Sequence, residues 1–242
     1  MKIIVADTYE AMSKQAADDL MQLMSLKKDP LLCPASGDSP AGLYKELAER
    51  SKQDELDPSG WYFVGLDEWM GMNGTDEGSC RFHLNNELFG PLQIQKERIY
   101  FFDGRAEDLR DQCSQAEKFI ATHGGIHVAV VGIGTNGHIA MNEPGTPADS
   151  RSHVADIAPE TQQAGQKYFK EGKDISKGIT VGLATLMEAE HIILLVSGTH
   201  KAAVIKRLIS EPVSEQLPAS LFRDHPSFTI YLDAAAAQLI SK

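Results

Sequence analysis

Short apolar runs and amphipathic stretches alternate along the chain in a strand–helix–strand rhythm. Lys2–Ala6 reads as a strand, and Ala11–Leu26 repeats its apolar positions at helical intervals. Leu31–Pro34 is a short apolar run, followed by helical Pro40–Arg50 and the strand-like Trp61–Leu66. Glu77–Leu88 and Ala106–His123 predict helices on either side of an Ile99–Phe102 strand. Val128–Val131 is a mostly β-branched run, the type that forms strands buried on both faces. Thr161–Phe169 and Thr185–Glu190 predict short helices, His191–Ser197 a strand, and His200–Ser210 a helix. Phe228–Leu232 is a last strand, and the alanine-rich Ala234–Ile240 predicts a closing helix. The expectation is a single α/β domain over 1–242, with a mainly parallel, Rossmann-like doubly wound sheet.

The pattern weakens over Asn142–Lys177, which is polar and has few large apolar residues. Two readings stand: a surface excursion, or a mobile lid over about 145–177 closing on a crevice.

With 34 acidic against 23 basic residues, the net charge of −11 argues against nucleic acid or an anionic membrane as partner. A small anionic substrate stays possible, because a local basic pocket can oppose the global sign. The first residues lack the apolar core of a signal peptide, and no run of apolar residues is long enough for a membrane span. Cys33, Cys80 and Cys113 are scattered and odd in number, fitting neither a disulfide framework nor a C-x-x-C metal site. A cytoplasmic protein with reduced thiols is expected, with no metal or organic cofactor.

The stretch Val128–Gly145, VAVVGIGTNGHIAMNEPG, concentrates the candidate chemistry. Gly132, Gly134 and Gly137 spell the dinucleotide fingerprint after a strand. That reading needs a helix opening at the third glycine, and Asn142-Glu143-Pro144-Gly145 would break it almost at once. What remains is a glycine turn that delivers His138 and Glu143 beyond the carboxyl end of a parallel strand, where open α/β sheets place their sites.

Three more strand ends converge on the same crevice. Cys33–Pro40 is a Ser/Gly turn feeding a helix, with Ser39 suited to the N-cap and Pro40 to the first helical position. Such a turn is either plain capping or an anion site, and Asp38 within it would have to point outward. Asp67 and Glu68 follow the Val64-Gly65-Leu66 run. Neighbouring side chains of an extended chain face opposite ways, so one carboxylate can face the crevice while the other is structural. Trp69 beside them suggests shielding, which raises a carboxyl pKa and suits a general base. Ser197-Gly198-Thr199-His200-Lys201 places a lysine in a first helical turn, where the dipole disfavours it unless an anion intervenes.

LDEW, GIGTNGHIAMNEPG and SGTHK, in this order and spacing, resemble the glucosamine-6-phosphate deaminase/isomerase family over nearly the whole chain. KGITVGLATLMEAEHIILLVSG and LPASLFRDH are also similar to its galactosamine-6-phosphate branch. The related 6-phosphogluconolactonases have Asp-Glu-Arg in place of Asp67-Glu68-Trp69 and Leu-Phe-Pro in place of Asn142-Glu143-Pro144. The resemblance implies conversion of glucosamine- or galactosamine-6-phosphate to the ketose phosphate and ammonia. Asp67 would then move a proton between C2 and C1, His138 would open the ring, and Glu143 would orient His138. Ser36, Gly37, Ser39 and Lys201 would hold the phosphate, with Lys167 near a position where the family often has a lid arginine. Asn136 stands where many members have aspartate, an exchange that stabilises an imidazolium less. The alternatives are a 6-phosphogluconolactonase-like hydrolase and a non-catalytic sugar-phosphate sensor. In the segment after the loop, Arg151 is the only arginine or lysine before Lys167, too little for the basic effector site of regulated relatives.

Overall fold

A computed structural model describes residues 1–240. In chain order the elements are β1 (Lys2–Ala6), α1 (Tyr9–Ser25), β2 (Leu31–Pro34), α2 (Asp38–Lys52), β3 (Tyr62–Val64), β4 (Asp67–Trp69), α3 (Cys80–Leu84) and β5 (Ile99–Tyr100). There follow α4 (Leu109–Thr122), β6 (Val128–Val131), β7 (His153–Asp156), α5 (Pro159–Gly165), β8 (Lys177–Thr180), α6 (Leu183–Met187), β9 (His191–Val196), α7 (Ala202–Ser210) and β10 (Phe228–Asp233).

Among the described residues, seven strands pair in parallel in the order β1-β10-β9-β6-β2-β3-β5. Successive side chains of a strand face opposite sides, and the core divides accordingly. Cys33, Ala129, Val131, Leu194 and Ile230 pack on one side with Ala116 and Ile120 of α4 and Ile205 and Leu208 of α7. Leu32, Val130, Ile193 and Tyr231 pack on the other with Met12 and Leu20 of α1 and Leu43 and Leu47 of α2. Both faces are thus covered, which is why the central strands read as unbroken apolar runs.

From β2 the chain builds outward through β3 to β5, then returns to lay β6 on the opposite flank of β2. Strand order therefore reverses between β2 and β6, the crevice where open α/β sheets bind ligands. Ser36-Gly37 follows β2, the glycine turn follows β6, and Lys201 follows β9, the other neighbour of β6.

The expected Trp61–Leu66 strand is cut short. A Cβ on Gly65 would lie 2.6 Å from the Phe101 ring, so the close approach requires glycine as the chain leaves the large sheet. It re-forms as β4 in a second, antiparallel sheet, β4-β8-β7, with β7 inside and β8 at the end of the segment expected to be irregular. Residues 145–177 thus contain β7, and the helix expected at Thr161–Phe169 begins earlier as α5 and ends in a 3-10 turn at Gln166–Tyr168. Glu117 of α4 ties this layer down, accepting from Ser152 N (2.9 Å) and from the Thr185 hydroxyl (2.7 Å).

Two further expectations are corrected. Glu77–Leu88 is not one helix, since Ser79 caps a short α3 that passes into a π-turn at Asn85–Phe89. Ala234–Ile240 is a string of turns, because Asp233 accepts from Ala236 N and seven residues are too few to sustain a helix. Among the described residues no helix is long and apolar enough to cross a membrane.

Candidate active site

The glycine turn after β6 is shaped around His138. A Cβ on Gly134 would lie 2.2 Å from the imidazole, and Gly137 has φ +95° with its Cα hydrogen against Leu217. The imidazole therefore lies over bare backbone. Its Nδ1 is 2.8 Å from Asn136 Oδ1, which also accepts the His138 backbone N–H at 3.1 Å. Asn136 Nδ2 donates to Glu143 Oε2 at 2.7 Å, which fixes the amide orientation. An acceptor at Nδ1 selects the Nδ1–H tautomer and leaves the Nε2 lone pair for chemistry. Burial lowers the His138 pKa, opposed by Glu143 and aided by Lys201, so the ring is neutral at pH 7.

Glu143 reaches this network because Asn142 anchors the loop. Asn142 is fully buried and donates to Ile139 O (3.0 Å) and Val181 O (2.9 Å). Thr180, which faces Asp67 across β4–β8, accepts from Met141 N at 3.2 Å. The small sheet thereby joins the His138 loop to the Asp67 strand.

Asp67 is buried, and desolvation pushes its carboxyl up to about 6, while the Cys80 thiol pulls it down. Glu68, wholly buried, takes the structural role. Its Oε1 accepts from Trp69 N (2.8 Å) and Cys80 N (3.0 Å), and Oε2 from Arg81 N (3.1 Å). The bonds from Cys80 and Arg81 answer free N–H groups at the start of α3. Burial raises the Glu68 carboxyl to about 7 against the pull of the three donors. Cys80, held at that helix start, lies against both Asp67 and the Ser36 hydroxyl.

The Ser36-Gly37 turn opens α2, but its cap differs from expectation. Gly37, at φ +120°, is the N-cap, and Ser39 lies inside the first turn with its hydroxyl 3.2 Å from Ser197. The helix starts two residues early because glycine supplies a backbone angle that serine resists. Asp38 does point outward, pairing with Lys167 of the 145–177 segment. Tyr168 also reaches this turn, its hydroxyl 3.4 Å from where a Gly37 Cβ would be.

Lys201 is half-buried and donates to Ile133 O at 2.5 Å. Desolvation, with Lys167 nearby, lowers its pKa to about 8. A desolvated ammonium with only a carbonyl partner is poised to gain from an anion. Lys201→Ala is expected to weaken binding of a phosphorylated sugar by about 1.5–3 kcal/mol with a smaller effect on kcat. Calorimetric titration of inactive enzyme with substrate checks this, and equal affinities of wild type and variant would refute the anchor.

All nine residues singled out from the sequence thus lie along this crevice, in three groups: Asp67; Asn136, His138 and Glu143; and Ser36, Gly37, Ser39, Lys167 and Lys201. Sequence reasoning missed Thr161, whose hydroxyl lies 3.1 Å from His138 Nδ1, and Cys80 beside Asp67. No pattern marked either, since each arrives from an element that is distant in sequence. Arg151 is bound to Glu188 by paired guanidinium–carboxylate contacts.

A family model described as glucosamine-6-phosphate isomerases/6-phosphogluconolactonase matches residues 6–230. A glucosamine-6-phosphate deaminase of Geobacillus sp. (strain WCH70) is 37% identical over 241 residues, 99% of this chain and 96% of that protein. One of Bacillus velezensis is 36% identical, covering 98% of this chain and 99% of that protein. A solved monomeric glucosamine-6-phosphate deaminase superposes with a TM-score of 0.95 at 33% identity, over 99% of this chain and 100% of that one. The 6-phosphogluconolactonase of Trypanosoma brucei shares the fold, with a TM-score of 0.78 at 18% identity over 99% and 98% of the two chains.

Proposed function

The chain belongs to the glucosamine-6-phosphate isomerase/6-phosphogluconolactonase family, and on that footing we propose that it deaminates an aminosugar 6-phosphate, glucosamine-6-phosphate foremost, to the ketose 6-phosphate and ammonia. The observation that carries the reading is the pairing of a buried carboxyl raised to about 6 with a neutral histidine held in one tautomer. Each suits a different half of the reaction.

His138 Nε2 exchanges the proton between the anomeric hydroxyl and the ring oxygen, opening the pyranose. Glu143 and Asn136 keep the imidazole oriented through that exchange. Asp67, as carboxylate, takes the C2 proton of the open aminoaldehyde and returns it at C1, giving the ketose imine. Water adds to the imine carbon and ammonia leaves, so one water is consumed per ammonia released. Ser36, Gly37, Ser39 and Lys201 hold the phosphate away from the reacting carbons, fixing which proton meets the base. Residues 145–177 act as the lid, Lys167 exchanging Asp38 for the phosphate as it closes. Three buried free thiols accord with a cytoplasmic place of work.

Ammonia release from glucosamine-6-phosphate and galactosamine-6-phosphate, and hydrolysis of 6-phosphogluconolactone, assayed separately, test the reading. Release from the first is expected. Lactone hydrolysis without ammonia from either aminosugar would install the hydrolase, and binding without turnover the sensor. With Arg151 already neutralised by Glu188, hyperbolic kinetics are expected, unchanged by N-acetylglucosamine-6-phosphate. A sigmoidal rate curve straightened by that compound would contradict this.

A further inference from the structure

At the opposite end of the sheet from the crevice, where β6 and β9 begin, lie His127, Glu190 and His191. The two segments are held in parallel register, His191 N donating to His127 O at 3.1 Å. One potential ligand atom from each residue falls within 4.8 Å of the other two. His127 Nδ1 and Glu190 Oε2 are 2.9 Å apart, and the two imidazoles meet edge to face at 5.5 Å between centroids. We propose that His127, Glu190 and His191 form a divalent-cation site of the zinc class, remote from the reacting carbons.

Three features beyond proximity support the site. First, the donor set is two imidazoles and a carboxylate, a combination that takes Zn²⁺ with a water in the fourth position. Second, each imidazole is already oriented through its other nitrogen. His127 Nε2 sits 2.9 Å from Leu23 O, and His191 Nδ1 sits 2.7 Å from Ser227 Oγ. Backbone and hydroxyl partners of this kind fix the ring of a metal-binding histidine. Third, tetrahedral coordination at about 2.0–2.1 Å needs ligand atoms about 3.3 Å apart, above the 2.9 Å between His127 and Glu190 and inside the 4.8 Å that contains all three. Side-chain shifts of about 1 Å complete it. His127 is 3% exposed, so one ligand is fixed, while the Glu190 side chain is 47% exposed and free to adjust. Lys27, paired with the other Glu190 oxygen, lies at the rim and balances the carboxylate charge. The ion would clamp the feet of β6 and β9, whose far ends lead to His138 and Lys201.

The test uses the intact chain after chelator dialysis. Zn²⁺ competition against a chromogenic chelator should give one ion per chain at micromolar affinity or tighter, and Zn²⁺ should raise the thermal midpoint. Co²⁺ in the wild-type protein should give the visible absorption of a tetrahedral nitrogen/oxygen site. Glu190→Gln and His191→Ala, both at half-exposed positions, should each weaken binding roughly tenfold or more. Two outcomes overturn the proposal. One is no stoichiometric binding, which would leave the trio as a hydrogen-bonded ion pair. The other is binding that neither variant weakens, which would place the ion elsewhere.

Discussion

Asp67→Asn is expected to cut turnover roughly 10²–10⁴-fold or more, to leave affinity for the phosphorylated sugar near wild type, and to stabilise the fold at neutral pH. The first two effects follow from removing the base while sparing the phosphate contacts. The third follows from burial. The carboxyl ionises near 3.8 when free and near 6 in the folded protein. Between those values the folded state holds more protons than the unfolded chain, so stability falls as pH rises through that window. By pH 7 the full cost is in force, at most about 3 kcal/mol at 1.36 kcal/mol per pKa unit. Asparagine escapes it. Urea titrations at pH 7.5 should show the variant as the more stable protein, with the gap closing towards pH 4. The acid limb of wild-type kcat/KM should rise through about pH 6. A variant within a few-fold of wild-type kcat would remove Asp67 from the chemistry, and one less stable than wild type at pH 7.5 would refute the cost of its ionisation.

The second large effect concerns stability. Glu68→Ala should cost roughly 3–9 kcal/mol, because three backbone N–H groups lose their acceptor at about 1–3 kcal/mol each. Glu68→Gln keeps one acceptor oxygen, enough for two of the three donors, and should be clearly more stable than the alanine variant. Activity should fall with stability, since Cys80 and the start of α3 lie directly beside Asp67. Chemical denaturation of the three proteins decides it. A Glu68→Ala protein within about 1 kcal/mol of wild type would mean that water replaces the carboxylate without penalty.

The large sheet was legible because its strands are buried on both faces. Val128–Val131 and His191–Val196 could scarcely be anything else, and the loops that follow them had to meet at the crevice. The small sheet was not legible. Asp67–Trp69, His153–Asp156 and Lys177–Thr180 are short and mostly polar, and β4 hides at the end of the Trp61–Leu66 run. Only the clash at Gly65 reveals the exit, and that depends on Phe101 from a distant loop. Among site residues, those flanked by glycine turns stood out: Ser36, Gly37, His138 and Lys201. The division of labour between Asp67 and Glu68 was legible as an alternation but not as an assignment, which needed the N–H groups of α3. The alanine run after β10 has high intrinsic helix propensity but is too short to sustain a helix.

The placement of β1 at the sheet edge has a consequence for biosynthesis. Its partner is β10, with Lys2 opposite Thr229. β1 must therefore wait for a strand made more than two hundred residues later. At roughly 5–20 residues per second, that delay is on the order of 10–45 s on a translating ribosome. Throughout it the Lys2–Ala6 backbone has no sheet to join, and Val5, half-exposed even in the finished fold, is at its most exposed. The early strands β2, β3 and β5, which pair among themselves, can assemble long before. The nascent chain thus grows its sheet from one flank of the crevice to the other, and closes the far edge only once β10 has been made.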